Sequence, residues 1–238
     1  SGCKSLEDIM LPKAATSIGD YTFSGCSALK TVVMEDRKDD TALALGSNGS
    51  SSLFSSCPLD SVYIGRNISY GTTSGKGYSP FYGNVSLSAV GFNNKLTKIA
   101  AYEFAGCTGL TTFTFPDSIK TIDESAFSSC TGFTDFVIPN SVTSIGKKAF
   151  YSCASLKSFN VGSGVKAIGQ EALTGCSSLT NLISAATEPP VCDTNALTNI
   201  NKFDCTLTIP EGTLAAYQAA DQWRDFFFIE EKDLTGIT

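Results

Sequence analysis

The chain has 238 residues, with 17 Lys or Arg, 23 Asp or Glu and no His, which gives a formal net charge of −6. The missing histidine excludes Ser-His-Asp and Cys-His catalysis, His-ligated zinc and a histidine pH switch. The acidic balance argues against nucleic-acid binding, and the apolar fraction of 42% is sufficient for a continuous core.

A repeat of about 23 residues runs along the chain and is marked by cysteine. Apolar residues recur at the third, sixth and eighth positions after six of the cysteines, with Ser184 as the one polar exception, and one residue earlier after Cys57. In most units a Phe stands three positions before the next unit start. Asn84 takes the Cys position in one unit. On this register, eight units start at residues 3, 26, 57, 84, 107, 130, 153 and 176.

One unit predicts a short series of elements. The sixth and eighth positions, such as Phe113 and Phe115, share one face of a strand because side chains alternate with period two. A second short extended piece follows, as at 141–145, and Gly146 then opens a turn into a small helical segment at 147–150. We expect the Cys positions to be buried free thiols that pack between units.

The segment 145–156 (Ile-Gly-Lys-Lys-Ala-Phe-Tyr-Ser-Cys-Ala-Ser-Leu) resembles the BspA-like, treponemal-type leucine-rich repeats found on bacterial cell-surface proteins. The resemblance covers about residues 1–197, and it departs in units 26 and 57 and at Asn84. It implies a β-rich α/β solenoid: a right-handed leucine-rich repeat array of parallel strands with short helical turns. One unit cannot bury its apolar face alone, so the units must stack.

Two insertions interrupt the repeat, near 35–52 and 65–80, and we interpret both as surface loops. The glycines at 71–77 lack the spacing and the strand-helix context of a phosphate-binding loop. The opening at Ser1 falls within the repeat, so we expect the protein to continue upstream, with its signal or lipoprotein anchor there. Membrane attachment is expected only through that anchor, since no apolar run approaches a spanning length.

Residues 198–238 are predicted to form a C-terminal strand-helix cap, similar to the cap of Bacteroides-type members. A last strand is expected near 206–209, and a helix from Leu214 to Phe228 with Thr213 as its N-cap. Trp223 is interpreted as packing within this cap. The cap is needed because the end of a solenoid exposes both an open strand edge and the core.

The chemistry-bearing residues predict no catalytic, metal or cofactor site. Cys192 and Cys205 lie off the repeat, and the sequence leaves open whether they form a disulfide. No Cys-x-x-Cys motif occurs. The adjacent carboxylates at 35–36, 123–124 and 230–231 are interpreted as solvated surface charges, although such groups could in principle serve a surface polysaccharide hydrolase.

The outward strand face, at the fifth and seventh positions of each unit, is the candidate binding surface. Its members are small and weakly polar, with a few apolar positions and a local group of tyrosines. The candidate residues are Val33, Tyr63, Tyr70, Tyr78, Tyr82, Val137 and Asn160. The leading hypothesis is a non-catalytic extracellular or cell-surface scaffold for adhesion to a protein or glycan. The alternative is a structural spacer within a larger surface protein.

Overall fold

A computed structural model describes residues 2–39, 41–46, 53–54, 56–71 and 79–235. The chain is a parallel-strand β-solenoid of about nine turns, as predicted. A turn generally carries a longer strand followed by a shorter one, and one short helix lies near the end of the described residues. In chain order the elements are β1 (Asp8–Leu11), β2 (Ser17–Ile18), β3 (Thr31–Met34), β4 (Leu43–Leu45), β5 (Ser61–Ile64), β6 (Ile68–Ser69), β7 (Ala89–Phe92), β8 (Lys98–Ile99), β9 (Thr121–Ile122), β10 (Asp135–Val137), β11 (Ser144–Ile145), β12 (Ser158–Val161), β13 (Ala167–Ile168), β14 (Asn181–Ser184), β15 (Val191–Cys192), β16 (Thr206–Pro210), α1 (Leu214–Ala219) and β17 (Phe228–Lys232).

The strands stack in register along the solenoid. The longer strands form two parallel sheets, of order β1-β3-β5-β7 and β10-β12-β14-β16-β17. The shorter strands form two more, of order β2-β4-β6 and β8-β9-β11-β13-β15. Equivalent positions of neighbouring units face each other, as Ile9 faces Val32 and Phe136 faces Phe159. The apolar columns of the sequence are therefore columns of the core.

The unit that starts at Cys107 lacks the predicted longer strand, and the main sheet is broken there. Phe113 and Phe115 were expected at inward strand positions, but both are only half-buried. Their rings contact each other at 4.9 Å between centroids, and Phe113 also lies 5.4 Å from Phe92. We attribute the break to crowding, because two neighbouring inward Phe side chains need more depth than the pairs of other units, which contain at most one Phe.

Two columns of the core are built from Phe and Cys. Six buried rings, three positions before each unit start, stack with 5.0–5.7 Å between neighbouring centroids: Phe23, Phe54, Phe81, Phe104, Phe127 and Phe150. Six of the seven repeat cysteines are buried free thiols, as predicted, whereas Cys3 is exposed. Burial raises the pKa of Cys107 and of Cys176 to about 12, which keeps both thiols protonated.

Within the described residues, five of the six buried repeat thiols, all except Cys26, also donate a hydrogen bond between units. Cys107 Sγ donates to the carbonyl oxygen of Phe81 at 3.1 Å, and Cys130 Sγ donates to that of Phe104 at 3.0 Å. Asn84, which replaces Cys in its unit, donates from Nδ2 to the carbonyl oxygen of Cys57 at 2.8 Å. The position therefore requires a small buried donor, and an amide can replace a thiol there.

The predicted helical segment at 147–150 is wrong, because the structure has successive turns there. Lys148 and Ser152 have φ of 55° and 59°, in the left-handed region, which a right-handed helix cannot accommodate. Alternate amides bond across units instead: Lys148 N–H donates to Gln170 and Phe150 N–H donates to Ala172. Pairing with the next unit replaces the helical pattern.

The C-terminal region is a short helix followed by a strand, so the predicted long helix is wrong. Helix α1 ends at Ala219, and β17 pairs with β16, where it gains ladder hydrogen bonds that a helix could not make. Thr213 is not a side-chain cap, because its hydroxyl donates to the Pro210 carbonyl oxygen at 2.6 Å.

Trp223 is fully buried, and its indole N–H donates to the Pro190 carbonyl oxygen at 2.8 Å, which confirms its packing role. Cys192 and Cys205 are free thiols, and they belong to different sheets: Cys192 lies in β15, and Cys205 directly precedes β16. The core continues past residue 197, and the division of the chain at that residue stays a prediction.

Candidate functional site

The outward side chains of the longer strands form the candidate surface, which we call the outer face. Register places Val33 beside Tyr63 in the first sheet and Val137 beside Asn160 in the second. The strandless unit at residue 107 separates these two pairs. The candidate residues therefore fall into at least two groups, and Tyr78 lies outside the described residues.

Tyr63 is held in place by its surroundings. Its ring lies against Gly91, where an added Cβ would come within 3.0 Å of Tyr63 Cδ2. Its hydroxyl donates to Asp36 Oδ1 at 2.9 Å, and Asn93 Nδ2 donates to the same oxygen at 3.4 Å. Burial, and then the bond to Asp36, raise the Tyr63 pKa. The start of the first insertion thus covers part of the outer face.

Among the described residues, Tyr70 and Tyr82 do not form one aromatic cluster with Tyr63. The Tyr70 hydroxyl donates to the Ala101 carbonyl oxygen at 3.0 Å, and burial raises the Tyr70 pKa well above its ordinary value. Tyr82 is half-buried. In the part of the chain that the structure describes, no ring contact joins Tyr63, Tyr70 and Tyr82. Tyr70 connects one unit to the next.

The outer face is most continuous on the second main sheet, from β10 to β16. One outward row is polar, and the next row mixes apolar and polar side chains; the rows are Asp135, Ser158, Asn181 and Thr206, and Val137, Asn160, Ile183 and Thr208. Thr208 is buried, so the second row is accessible only as far as Ile183. Four strands span about 14 Å between the outer two at ordinary strand spacing. The face is thus wide enough for a short peptide strand or a few sugar rings.

Unused hydrogen-bonding capacity lies within this part of the outer face. Asn181 Nδ2 donates to Ser158 Oγ at 3.3 Å, which ties two neighbouring strands together. Asn160 Oδ1 is buried and has no hydrogen-bond partner, and Val137 has 41% of its surface exposed. Buried polar atoms are rarely left unpaired, so Asn160 indicates a position where a donor is missing.

Sequence reasoning missed how far this face extends. Thr206 pairs with Asn181, 25 residues earlier, and Phe228 pairs with Thr206, 22 residues earlier. Neither separation equals the 23-residue period, so the period did not predict either pair. The strand predicted near 206–209 indicated correctly that Thr206 lies in the sheet, whereas Phe228 was predicted to lie in a helix.

The adjacent carboxylates predicted as surface charges have local partners. Asp123 lies 3.4 Å from Lys98 Nζ, and Glu230 lies 2.8 Å from Lys232 Nζ. Glu231 accepts the Leu214 N–H at 2.9 Å. Within the described residues, no three His, Cys, Asp or Glu could hold a metal ion, and no helix is long and apolar enough to cross a membrane. That the chain is not an enzyme stays a prediction.

Glu103 is a buried acid that the sequence analysis missed. Only 2% of its surface is exposed, and its Oε2 accepts the Ala100 N–H at 2.7 Å. Burial raises its pKa to about 8. It lines a cavity of about 250 Å³ together with Thr97 and Lys98. The repeat could have predicted this burial. Ala126, Ala149 and Ala172 occupy the equivalent position in later units and are fully buried.

The sequence model described as the BspA type leucine-rich repeat region matches six copies within residues 1–74 and 76–202. No curated protein matches the sequence. Among solved structures, a leucine-rich repeat protein from Bacteroides ovatus is 18% identical, with a TM-score of 0.50 over 91% of this chain and 66% of that one.

A Treponema pallidum leucine-rich repeat protein is 24% identical, with a TM-score of 0.49 over 74% of this chain and 69% of that chain. The chain thus spans about two thirds of the length of these proteins. At these identities the structural likeness shows the fold alone, and the repeats identify the family. The chain belongs to the BspA-type leucine-rich repeat family.

Proposed function

We propose that the chain is a non-catalytic, extracellular binding scaffold that recognises a protein or a glycan on the outer face of β10 to β16. The observation that carries the proposal is the open double row of outward side chains, with the unpaired Asn160 Oδ1 inside it. Repeat proteins bind partners on extended surfaces of this kind. Family membership supports a repeat scaffold.

The composition of the rows favours polar recognition with an apolar component. Asp135, Ser158 and Asn181 offer carboxylate, hydroxyl and amide groups, whereas Val137 and Ile183 offer apolar contact. Such mixtures suit sugar hydroxyls above an apolar sugar face, and they equally suit the polar rim and apolar centre of a protein interface. Cell-surface location is proposed from the resemblance to BspA-like repeats, with an anchor outside this chain.

The test is a glycan array together with a screen of host-matrix proteins, using the chain and a double variant, Val137→Glu with Asn160→Arg. The variant should weaken binding by at least about tenfold, because it places two charges on the outward row of β10 and β12. Val85→Glu is the matched control, since Val85 is 62% exposed and lies off the outer face. Absence of binding in both screens, or equal binding by the double variant, would contradict the proposal.

A structural spacer is the second candidate, and the continuous core from Leu11 to Phe226 favours it. Removing residues 130–175 deletes two whole units and joins Ser129 to Cys176 in register. A spacer should keep its surface display and assembly after this deletion. A binding scaffold should lose its ligand, because the deletion removes β10 and β12.

A further inference from the structure

Three exposed phenylalanines form an apolar patch at the C-terminal end of the solenoid. Phe203, Phe227 and Phe228 have 73%, 68% and 51% of their surfaces exposed. The rings of Phe203 and Phe227 lie 5.9 Å apart, and those of Phe227 and Phe228 lie 5.0 Å apart. Single exposed apolar residues are common, but a contiguous aromatic group indicates an interaction site. We call these three residues the aromatic end patch.

The patch adjoins an unpaired strand edge. Phe228 begins β17, which is the last strand of the second main sheet, and among the described residues no strand pairs with its other side. Such an edge presents unpaired backbone N–H and C=O groups that can accept a further strand. An added strand would extend the sheet while its side chains contact the patch, as in β-strand addition.

The charge around the patch selects the partner. Between residues 202 and 233 there are seven acidic and three basic residues, a net charge of −4 out of −6 for the whole chain. The three bases, Lys202, Arg224 and Lys232, each pair with an acid of the same segment, at 3.0, 2.7 and 2.8 Å. The excess negative charge therefore remains for a basic partner.

A second copy of the chain fits this edge poorly. Antiparallel pairing of β17 with itself about Glu230 would place the two Glu230 side chains opposite each other, and like charges directly opposite destabilise a sheet. Charged residues on edge strands commonly prevent self-pairing in this way. We propose that the edge of β17 and the aromatic end patch bind an extended segment of a partner protein, in which apolar side chains alternate with Lys or Arg.

The proposal is tested by calorimetry with two synthetic nine-residue peptides, one alternating Lys with Val and one alternating Glu with Val. The Lys peptide should bind, with an affinity that falls as salt rises, and the Glu peptide should not. A Lys peptide N-methylated at two adjacent central amides should bind more weakly, because adjacent amides point to opposite edges of a strand and neither edge can then pair fully. Failure of the Lys peptide to bind, or equal binding by the methylated form, would overturn the proposal.

Variants locate the binding and separate it from the outer face. Phe227→Ser with Phe228→Ser, and Phe203→Ser alone, should each weaken Lys-peptide binding, the double variant by at least about tenfold. Val85→Ser and the outer-face variant Val137→Glu with Asn160→Arg should bind it as the unaltered chain does. Circular dichroism should show an unaltered fold in all of them. Unchanged binding by both patch variants would overturn the proposal. So would a dimer of the unaltered chain, seen in sedimentation experiments, that is lost only in the patch variants.

Discussion

The Cys position shows how one residue serves two purposes in this repeat. The thiol is small enough for the core, and it also donates to a Phe carbonyl of the preceding unit, as Cys153 donates to Phe127 at 3.1 Å. The repeat of Cys at one position indicated the first role, because such a repeat shows only that a small, readily buried residue is needed there. The second became visible through Asn84, whose Nδ2 donates to the equivalent Phe54 carbonyl oxygen at 3.5 Å and also to the Cys57 carbonyl oxygen at 2.8 Å.

Replacement of Asn84 tests the donor role. Asn84→Leu should lower the free energy of unfolding by about 1–3 kcal/mol, because it removes two buried hydrogen bonds, from Nδ2 to the carbonyl oxygens of Phe54 and Cys57. Asn84→Cys should cost less, since a thiol is the donor in neighbouring units. Urea unfolding of the two variants measures the difference. Equal destabilisation by Leu and Cys would show that only volume matters at this position.

Glu103 predicts a pH dependence of stability. Because its folded pKa is raised to about 8, the folded chain holds a proton that the unfolded chain releases near pH 4.5. Its contribution to stability is therefore fully present below pH 4.5 and is lost as the pH rises towards 8, by about 1.4 kcal/mol per pH unit.

The measurement compares urea unfolding of the unaltered chain with that of Glu103→Gln, which cannot ionise, from pH 4 to pH 9. Tyr70, Asp123 and Lys98 are the titratable groups that act on the Glu103 carboxyl, and both proteins retain them. Between pH 5 and pH 8, the free energy of unfolding of the unaltered chain should fall relative to that of the variant. A constant difference over that range would contradict the buried neutral carboxyl.

At the scale of elements, most longer strands of the repeat were predictable, whereas the turns, β17 and the strand β4 within the first predicted loop were not. Alternation at the sixth and eighth positions indicated β3, β5, β12 and β14 correctly, because period two is a local property of a strand. The segment at 147–150 has helix-compatible residues, yet its amides pair with the next unit. That pairing depends on a neighbour 22 residues away, which local propensity does not record.

Equivalent glycines at different heights of the solenoid give a matched pair of variants. A Cβ on Gly146 would lie 2.7 Å from the backbone carbon of Asp123 in the preceding unit, whereas one on Gly19 would have only Thr22 Oγ1 within 4 Å, at 3.8 Å. Gly146→Ala should therefore destabilise the chain by about 1–3 kcal/mol or more. Gly19→Ala should be tolerated or slightly stabilising.

Thermal unfolding of both alanine variants, followed by circular dichroism, provides the comparison. A lower midpoint for Gly146→Ala alone is the expected result. Similar midpoints would mean that the close approach of successive turns at Gly146 does not limit the side chain there.

For the whole molecule, stacking determines the fold, and the fold places the candidate face. Each unit packs mainly on its neighbours, so the period of the sequence was sufficient to predict the solenoid. The pairing of Val137 with Asn160 followed from the same period. The restraint of Tyr63 by Asp36 did not, because it depends on where an insertion folds, and the aromatic end patch did not, because the period ends before it.

The most direct test of the central claim is hydroxyl-radical footprinting by mass spectrometry, on the chain alone and with the ligand from the screens. The ligand should lower the labelling of Val137 and Ile183 on the outer face and leave unchanged that of the exposed Val85 and Val191, which lie off this face. Unchanged labelling at Val137 and Ile183, with reduced labelling at Val191 or Val85, would place the ligand elsewhere and contradict the assignment of the outer face.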